Sequence, residues 1–541
     1  MAKKNDNPIK TLVIDNFRGS IVPRINGDIN NGYSYWFDVF AYDVFSKPGN
    51  LTWHEAPIQI DAAGTVITDL IMAGKVRMES GTLYVYAIGH LGRLYKIQVN
   101  DTATSNPDYD IPVLLTTITS GTPTFTRGGF IDFFGSTEQI YIGHDKGVTR
   151  INFDGTGETV VGVAGSWTAT VPRPLQQFGA SLYAGNGTNL TEIIGAGTVA
   201  TYSKLSPAFP IGTQVRDIKL TPDGNYVQVV VTRLALSDMT ATTPDTTLIA
   251  PTDSYLFKWN GIDAGYTSYT YYPSTILNAV TTFSDSQYVF GYDTVGQAVY
   301  NPIRKIFSEL PNSLSGTTYP NAINSIGNLV QWATTLPYLT NTYALFLHYG
   351  ILSDYDHDNG LWAPVFMAAT SPETDVMRIP CQIMISNTTE GTSSSGYTNN
   401  IIGTSKVYFS TLETSSGPTT DYKLYKWFPF PTGLHDSELG VFQTQNQLFS
   451  KKIQIHQVRI YGQPWVANNS FIIDLIGSDD APITNGSQTF TVGTNLTVGN
   501  DFAWYSPAIK PVYSLALRVT NNGTANHIIN KIEIDYSSGG Q

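Results

Sequence analysis

Charged residues are scarce in this sequence. Only 14% of its 541 residues are Asp, Glu, Lys or Arg, well below the roughly one quarter that is usual in globular proteins. Thr, Ser, Asn and Gly must therefore carry the polar surface, a composition that suits strands, turns and large permanent contacts. The formal net charge is −12, and the lack of basic excess argues against a specific nucleic-acid binder.

Cysteine and long apolar runs are also missing. The single cysteine, Cys381, excludes an internal disulfide framework and a four-cysteine zinc site. We expect it to be a small buried side chain rather than a catalytic thiol. No window approaches the roughly 20 apolar residues of a membrane-spanning helix, and no signal-peptide run follows the basic start. These features predict synthesis in a cytoplasm without a membrane span.

Helical periodicity is nearly absent, whereas alternating aromatic and β-branched runs are frequent. Two segments share an Ile-Gly-His motif, LYVYAIGHLGRLYKI at 83–97 and IYIGHDKGVTRI at 140–151. Each predicts a β-hairpin in which one strand ends near the glycine and the next returns. Weaker copies occur at 182–193 and 288–299, and a Thr-Pro-Asp-Gly turn at 221–224 precedes another strand.

Strand starts of this kind recur about every 54 residues, close to the length of a propeller blade. They fall near Leu83, Tyr141, Tyr183, Tyr226, Tyr288, Tyr343 and Val407. The pattern predicts an all-β fold with a β-propeller of about seven blades over residues 51–435. A series of β-sandwiches would also give frequent short strands, and it remains the alternative fold.

Two flanking regions differ from the repeats. Residues 1–50 combine a basic tip with a Gly- and Asn-rich middle, and they predict an N-terminal arm that gains order on a neighbouring subunit through Phe17 and Ile21. Residues 440–541 predict a C-terminal β-sandwich or jelly roll. Its strand candidates are 453–461, 471–476, 488–492, 513–519 and 528–536.

Motifs that carry chemistry are few. Asp354, Asp356 and Asp358 alternate along a loop and could converge on Ca²⁺. A hairpin turn at Asn359-Gly360 explains the same stretch and is the favoured interpretation. His90 and His144 occupy equivalent places in the two hairpins, where a hydrogen bond across the hairpin is favoured over a ligand role. No other cofactor motif is present.

Two alternatives concern sugars. Trp465 and Trp504 could stack on sugar rings, although packing is the simpler interpretation. A propeller glycosidase would need two carboxylates across a cleft, and nothing in the sequence marks such a pair. We therefore expect a protein without catalytic activity.

Stretches at the start, in the hairpins and near the end carry a resemblance that covers most of the chain. The opening DNFRGSIVPRINGDINNGY with DVFSKPGNLTW, the Ile-Gly-His hairpins and the ending YGQPWVANNSFIIDLIGSDDAPITNGSQTF resemble virion structural proteins of tailed bacteriophages. The predicted architecture is similar to that of tail nozzle proteins of short-tailed phages. The resemblance implies a homo-oligomeric tail or head–tail junction subunit that contacts other virion proteins and leaves the host by lysis. A carbohydrate-binding adhesin that recognises host-surface glycan is the alternative.

Overall fold

The computed structural model of this chain describes most of the sequence, with gaps. The described residues are 8–15, 17, 36–40, 42–43, 49–53, 57–60, 66–99, 110–163, 165–195, 197–201, 209–233, 252–263, 265–283, 286–293, 297–301, 304–305, 319–326, 329–338, 342–351, 361–367, 377–378, 381–385, 406–414, 420–427, 440–479, 481–525 and 527–538. Within these ranges the regular structure is β-strand, apart from one 3₁₀ turn at Pro320–Ala322. No helix in the described ranges has the length and apolar character needed to cross a membrane.

The strands before the propeller are short. They are β1 (Lys10–Ile14), β2 (Trp36–Phe40), β3 (Tyr42–Asp43), β4 (Leu51–Trp53) and β5 (Ile58–Ile60).

Six four-stranded antiparallel sheets follow in chain order. Their strands are β6 (Ile71–Glu79), β7 (Thr82–Gly89), β8 (Arg93–Gln98) and β9 (Ile111–Thr117); β10 (Phe130–Phe134), β11 (Gln139–His144), β12 (Gly147–Ile151) and β13 (Thr159–Val160); β14 (Leu175–Phe178), β15 (Ser181–Asn186), β16 (Asn189–Ile194) and β17 (Thr198–Thr201); β18 (Gln214–Leu220), β19 (Val227–Thr232), β20 (Ser254–Trp259) and β21 (Ser268–Tyr272); β22 (Thr275–Phe283), β23 (Ser286–Asp293), β24 (Gln297–Asn301) and β25 (Arg304–Lys305); and β26 (Ile323–Ile326), β27 (Leu329–Tyr338), β28 (Thr342–Ile351) and β29 (Leu361–Met367).

A five-stranded sheet comes next. It contains β30 (Met377–Arg378), β31 (Gln382–Ile385), β32 (Lys406–Thr414) and β33 (Thr420–Trp427), and its outer partner is β5 from the start of the chain. The last strands are β34 (Val441–Thr444), β35 (Gln447–Gly462), β36 (Ser470–Ile476), β37 (Pro482–Thr491), β38 (Phe502–Tyr505), β39 (Val512–Asn521) and β40 (Ile528–Ser538).

The first strands of these sheets face one another in an inner ring. β6 contacts β10, and contacts continue through β14, β18, β22, β26 and β31 back to β6. Successive sheets that pack through their first strands are the β-propeller arrangement, so the all-β class and the propeller are confirmed. Each of the seven predicted strand starts falls in, or next to, a strand of a different sheet.

Glycine in the second strand of a sheet permits close packing between neighbouring elements. The predicted hairpins at 83–97 and 140–151 are β7–β8 and β11–β12. A Cβ on Gly143 of the second hairpin would overlap the carbonyl oxygen of Arg173 and lie 2.9 Å from its Cβ. At Gly185 a Cβ would lie 2.8 Å from Cδ of Pro174. The glycine of the Ile-Gly-His motif is therefore a packing requirement.

The first four-stranded sheet and the five-stranded sheet are joined by a side-chain contact. Within the five-stranded sheet, β33 pairs with β5, with Lys426 opposite Ile58. The ammonium of Lys426 lies 2.7 Å from a carboxylate oxygen of Asp110, which precedes β9, and both side chains are buried. This ion pair connects the five-stranded sheet with the first four-stranded sheet.

The remaining eleven strands form one continuous hydrogen-bonded network at the C-terminal end of the chain. β40 pairs with β35, β1 and β4, whereas β39 joins β34, β35 and β36. The long strand β35 changes partner along its length: residues near Gln447 face β39 and residues near Ile460 face β40. All five predicted C-terminal strand segments overlap strands of this network.

The described part of the N-terminal segment packs within this chain. Residues 10–14 run antiparallel to β40, with Lys10 opposite Tyr536 and Ile14 opposite Ile532. Phe17 is fully buried, and its ring centroid lies 5.5 Å from that of Phe442. Among the described residues, β1 therefore supplies backbone ladder bonds and Phe17 buries an aromatic ring within this chain, whereas the arm over residues 1–50 as a whole stays a prediction. Ile21, the second predicted anchor, lies outside the described residues.

One hydrophobic cluster extends across the C-terminal network and the first propeller sheets. It includes residues from β1, β4, β6, β7, β35, β36, β39 and β40. Trp53 packs at its centre, with its ring centroid 4.7 Å from Tyr42 and 4.4 Å from His527. This shared cluster explains why the described N-terminal residues belong with the C-terminal strands rather than with solvent.

Candidate functional site

The best candidate site lies where the inner strands of the fourth and fifth sheets run side by side. β18 contains a β-bulge between Val215 and Asp217, and β22 contains one between Leu277 and Ala279. Arg216 and Asn278 are therefore the extra residues of two neighbouring inner strands. We refer to Arg216 and Asn278 together as the bulge pair.

A single side-chain contact fixes the two bulges relative to each other. Oδ2 of Asp217 accepts a hydrogen bond of 2.9 Å from the backbone N–H of Val280, and Oδ1 accepts one of 2.9 Å from the N–H of Ile218. Since Asp217 follows Arg216 and Val280 lies two residues after Asn278, this bond holds the bulge pair on adjacent strands. Burial raises the pKa of Asp217, and Lys219, 3.9 Å away, opposes that rise.

Two nitrogens of the Arg216 guanidinium, Nε and Nη1, are buried without an acceptor in the described chain. Only 1% of the residue is exposed, and within the described chain no acceptor contacts its Nε or Nη1. Burial lowers the pKa of Arg216 to about 9, a shift that Tyr292 opposes and that the positive charge of Arg127 assists. Asn278 is equally buried, and no described residue hydrogen-bonds its Oδ1 or Nδ2. Such groups normally have partners inside a protein.

A second buried arginine in the neighbouring region has its own partners. Arg173, just before β14, donates from Nη1 to the Gly185 carbonyl at 3.2 Å and from Nη2 to the Thr168 carbonyl. Its guanidinium carbon lies 5.2 Å from the Trp167 ring centroid. Burial lowers the pKa of Arg173 to about 10, and the charge of Asp145 acts against this shift. Both Nη atoms of Arg173 therefore have acceptors, unlike Nη1 of Arg216, although Nε is buried without a described partner in both arginines.

The two histidines of the Ile-Gly-His motif make different contacts. In His144, Nε2 lies 3.1 Å from the Thr149 hydroxyl, a bond across the hairpin that agrees with the interpretation from sequence. Burial lowers its pKa to about 4, helped by the charges of Arg173 and Lys146. His90 instead contacts the carboxylate of Asp69, and its Nε2 lies 3.4 Å from the Tyr422 hydroxyl.

Buried carboxylates near these turns bind backbone rather than one another. Asp145 accepts hydrogen bonds from the N–H groups of Thr126 and Arg127, both at 3.0 Å. Burial raises the pKa of Asp145, and these bonds oppose the rise. Asp69 accepts at 3.0 Å from the N–H of Leu91. These carboxylates fix the connections that lead into and out of the strands.

The predicted calcium ligands Asp354, Asp356 and Asp358 lie outside the described residues. Within the described ranges, no group of three or more His, Cys, Asp or Glu side chains could hold a metal ion. Cys381 is buried as a free thiol, and burial raises its pKa. This environment matches the small buried side chain expected from the sequence.

The two tryptophans proposed for sugar stacking differ in exposure. Trp465 is buried against Phe471, with ring centroids 5.4 Å apart, and cannot receive a ligand as it stands. Trp504 on β38 is 55% exposed. The larger exposed aromatic surface lies elsewhere, on β20 and β21.

That surface is a ladder of rings on the outer strands of the fourth sheet and on the connection between them. Tyr255 lies 5.3 Å from Tyr271, and Tyr266 lies 5.6 Å from Tyr269, measured between ring centroids. Tyr266, Tyr269 and Tyr271 are exposed, and the Tyr271 hydroxyl donates to Asp253 at 2.9 Å. We call Tyr255, Tyr266, Tyr269 and Tyr271 the tyrosine ladder.

Sequence reasoning missed both the bulge pair and the tyrosine ladder. The signal for Arg216 was present: Val215 and Ile218 are both buried, and their spacing of three breaks the alternation of a regular strand. The ladder was visible as SYTYY at 268–272. Only the fold, however, shows that this strand is the outermost one of its sheet.

Comparisons with known proteins identify no family. No family model matches the chain, and no curated protein matches it. Among solved structures, the extracellular domain of a one component system from B. thetaiotaomicron is similar, with 11% identity and a TM-score of 0.38. The comparison covers 90% of this chain and 62% of that one. This chain therefore spans less than two thirds of that protein's length.

Two further structures are similar at the same low level. The β-propeller domain of Cps50 (Swd1) from Myceliophteria thermophila has 11% identity over 70% of this chain and 100% of that domain, with a TM-score of 0.34. A sialidase from Trypanosoma rangeli has 9% identity over 91% of this chain and 96% of that chain, with a TM-score of 0.31. Likeness at this level carries no argument about function.

Proposed function

We propose that this chain is a structural subunit of a tailed-bacteriophage virion, in the tail or at the head–tail junction, and that it acts as a homo-oligomer. The observation that carries the proposal is an exposed apolar edge on the first propeller sheet. β9 is the outermost strand of that sheet, and Ile111, Val113 and Leu114 are 49%, 50% and 44% exposed. Residues 111–126 contain no charged side chain.

An edge of this kind favours contact with another chain. An outer strand has unpaired backbone groups, and proteins usually protect such an edge with charges, bulges or a covering element. β9 has Pro112 and one bulge, at Leu115, but no charged side chain. The apolar surface continues onto the second sheet, where Val160 and Val163 are exposed. Gly121, in the connection after β9, lies beside Val160, since a Cβ on this glycine would be 3.2 Å from the valine side chain. We infer that a second copy of this chain covers this edge.

The finer architecture forms part of the same proposal. We propose that the five-stranded sheet serves as a seventh blade, closed by β5, and that the C-terminal network forms a two-layered β-sandwich. The contacts of β31 with both β26 and β6 support the first statement. The partner change along β35 supports the second, because a strand that switches partners can connect two layers.

We also propose that the subunit lacks catalytic activity. The buried carboxylates Asp69, Asp145 and Asp217 all accept backbone N–H groups, which is a structural role. A screen for depolymerase activity on host polysaccharide tests this statement. Turnover that depends on any pair of carboxylates would contradict it and would favour a propeller glycosidase.

The assembly experiment uses charge on the edge strand. Ile111→Lys with Val113→Lys should convert oligomers into monomers, because like charges would face one another across the contact. Leu448→Lys on β35 is the matched control, since Leu448 is also an exposed apolar residue, 60% exposed, but lies in the C-terminal network. Sedimentation velocity measures the result. Dissociation by both variants, or by neither, would contradict the assignment of this edge.

Carbohydrate binding is the second candidate, and the tyrosine ladder favours it. Exposed rings next to a carboxylate can stack on a sugar ring while Asp253 accepts from its hydroxyls. Glycan-array binding should be lost in Tyr269→Ala and retained in Tyr513→Ala, a matched exposed tyrosine on β39. Absence of binding to any host glycan would end this candidate and leave the structural proposal unaffected.

A further inference from the structure

We propose that the bulge pair binds a small oxyanion, either a carboxylate or a phosphate, at the inner ring of the propeller. Arg216 would hold the anion by charge-assisted hydrogen bonds, and the Asn278 amide would donate a further bond. This site is independent of the proposed assembly through β9. β9 is the outermost strand of the first sheet, whereas the bulge pair lies on the inner strands of the fourth and fifth sheets.

The first argument is the unmatched charge of Arg216. An ionised guanidinium in a buried position is strongly unfavourable unless it is paired and hydrogen-bonded. Its Nε and Nη1 have no acceptor within the described chain, although both are strong donors. An oxyanion supplies the missing charge and the missing acceptors together.

The second argument excludes the adjacent carboxylate as the partner. Asp217 is the nearest acid in sequence, but its oxygens accept from the N–H groups of Ile218 and Val280, each at 2.9 Å. Lys219 lies 3.9 Å from the same carboxylate. Asp217 therefore belongs to the strand contact between β18 and β22, and its charge is engaged away from Arg216.

The third argument comes from the surroundings of Arg216. Asn278 has an uncommitted donor and acceptor on the neighbouring strand. Arg127 lies near enough that its charge acts on Arg216, and Tyr292, next to Gly291 opposite the β22 bulge, also interacts electrostatically with it. A buried cation with an amide donor on the neighbouring strand is a combination that recognises an oxyanion, and the cation would repel a metal ion.

Isothermal titration calorimetry of the full chain provides the test. Sodium phosphate and sodium acetate are titrated separately at pH 7, with sodium chloride at matched ionic strength as the reference. Saturable heat with phosphate assigns a phosphate site, and saturable heat with acetate assigns a carboxylate site. Absence of saturable heat with both anions would overturn the proposal, because water alone would then solvate Arg216.

Three variants locate the binding. Arg216→Met should weaken the affinity for the anion roughly tenfold or more, and Asn278→Leu should weaken it severalfold, because each removes a donor to the ion. Lys452→Met on β35 removes the same charge at a distant exposed position and should bind as wild type. Equal weakening by Lys452→Met would mean that net charge, not a site, attracts the anion, and would overturn the proposal.

A stability measurement separates a binding role from a purely structural one. In chloride buffer, Arg216→Met should melt no lower than wild type, because it removes an unpaired buried charge. Phosphate or acetate, whichever binds, should raise the melting temperature of wild type and leave that of Arg216→Met unchanged. If Arg216→Met melts far lower in chloride and the anion stabilises both proteins equally, the proposal is wrong. Asn278→Leu provides the same comparison with the guanidinium intact.

Discussion

Replacing Phe17 by alanine tests whether the N-terminal segment is an integral part of the fold. Phe17 is fully buried and packs edge to face on Phe442, at 5.5 Å between ring centroids. Truncating a buried phenylalanine costs about 3–5 kcal/mol, through lost burial and the cavity that remains. For a cooperative unit of the size of the C-terminal network, this corresponds to a fall in melting temperature on the order of 10 °C.

The assay is thermal unfolding of the purified protein followed by tryptophan fluorescence, because Trp53 and Trp465 belong to the same hydrophobic cluster as Phe17. Val13→Ala is the control: Val13 lies on β1 and is 40% exposed, so its loss should shift the melting temperature little. If Phe17→Ala melts like wild type, the segment is an arm after all. The burial of Phe17 would then contribute nothing to the stability of this unit.

Three further changes probe packing, ring closure and acid stability. Gly143→Ala should lower the free energy of unfolding by ~1–3 kcal/mol in urea titrations, whereas Gly265→Ala, with no atom within 4 Å of the new Cβ, should have little effect. Lys426→Met should lower it by about 3–5 kcal/mol, because it leaves Asp110 buried without its ammonium partner. Burial lowers the pKa of His527 to about 3, so the folded chain resists a proton that the unfolded chain takes up below pH 6.5. Stability should therefore fall by about 2 kcal/mol between pH 6.5 and 4.5, and His527→Phe should flatten this decline.

Each of these results can go against the structure. Equal destabilisation by both glycine variants would mean that strand packing at Gly143 is not tight. If Lys426→Met leaves the free energy of unfolding unchanged, the Lys426–Asp110 ion pair does not stabilise the contact between the five-stranded sheet and the first sheet. An unchanged acid profile in His527→Phe would mean that other groups, not a histidine packed between Trp53 and Phe471, control acid stability.

The hairpins were predictable because their signals are local. Alternation, an aromatic strand and a glycine before a polar turn lie within about 15 residues of one another. The seven predicted strand starts fall in or beside strands of seven different sheets for the same reason. The strand candidates after residue 440 also rest on local alternation, and all of them overlap strands.

The pairing of β1 with β40 was not predictable in this way. Lys10 and Tyr536 are neighbours in space but lie at opposite ends of the sequence, so no local pattern connects them. The basic tip and the Gly- and Asn-rich composition of residues 1–50 predicted an arm, and composition alone says nothing about a pairing with β40. Phe17 and the alternating KTLVI of β1 carried the contrary signal.

The bulge pair illustrates a different limit. An arginine in a strand is normally assigned to the solvent side, and Arg216 fits that pattern until the bulge is taken into account. Whether its guanidinium finds an acceptor depends on Asp217, which contacts Val280 on another strand. The sequence contains these residues, but only the packing of β18 against β22 shows that the Asp217 carboxylate binds the N–H of Val280.

The central claim is that this chain assembles with copies of itself, and the most direct test is the mass of the purified protein in solution. Mass photometry should give a discrete multiple of the 59.2 kDa chain, and Ile111→Lys with Val113→Lys should reduce it to the single-chain mass. A wild-type protein that stays at 59.2 kDa at all concentrations measured would contradict the account.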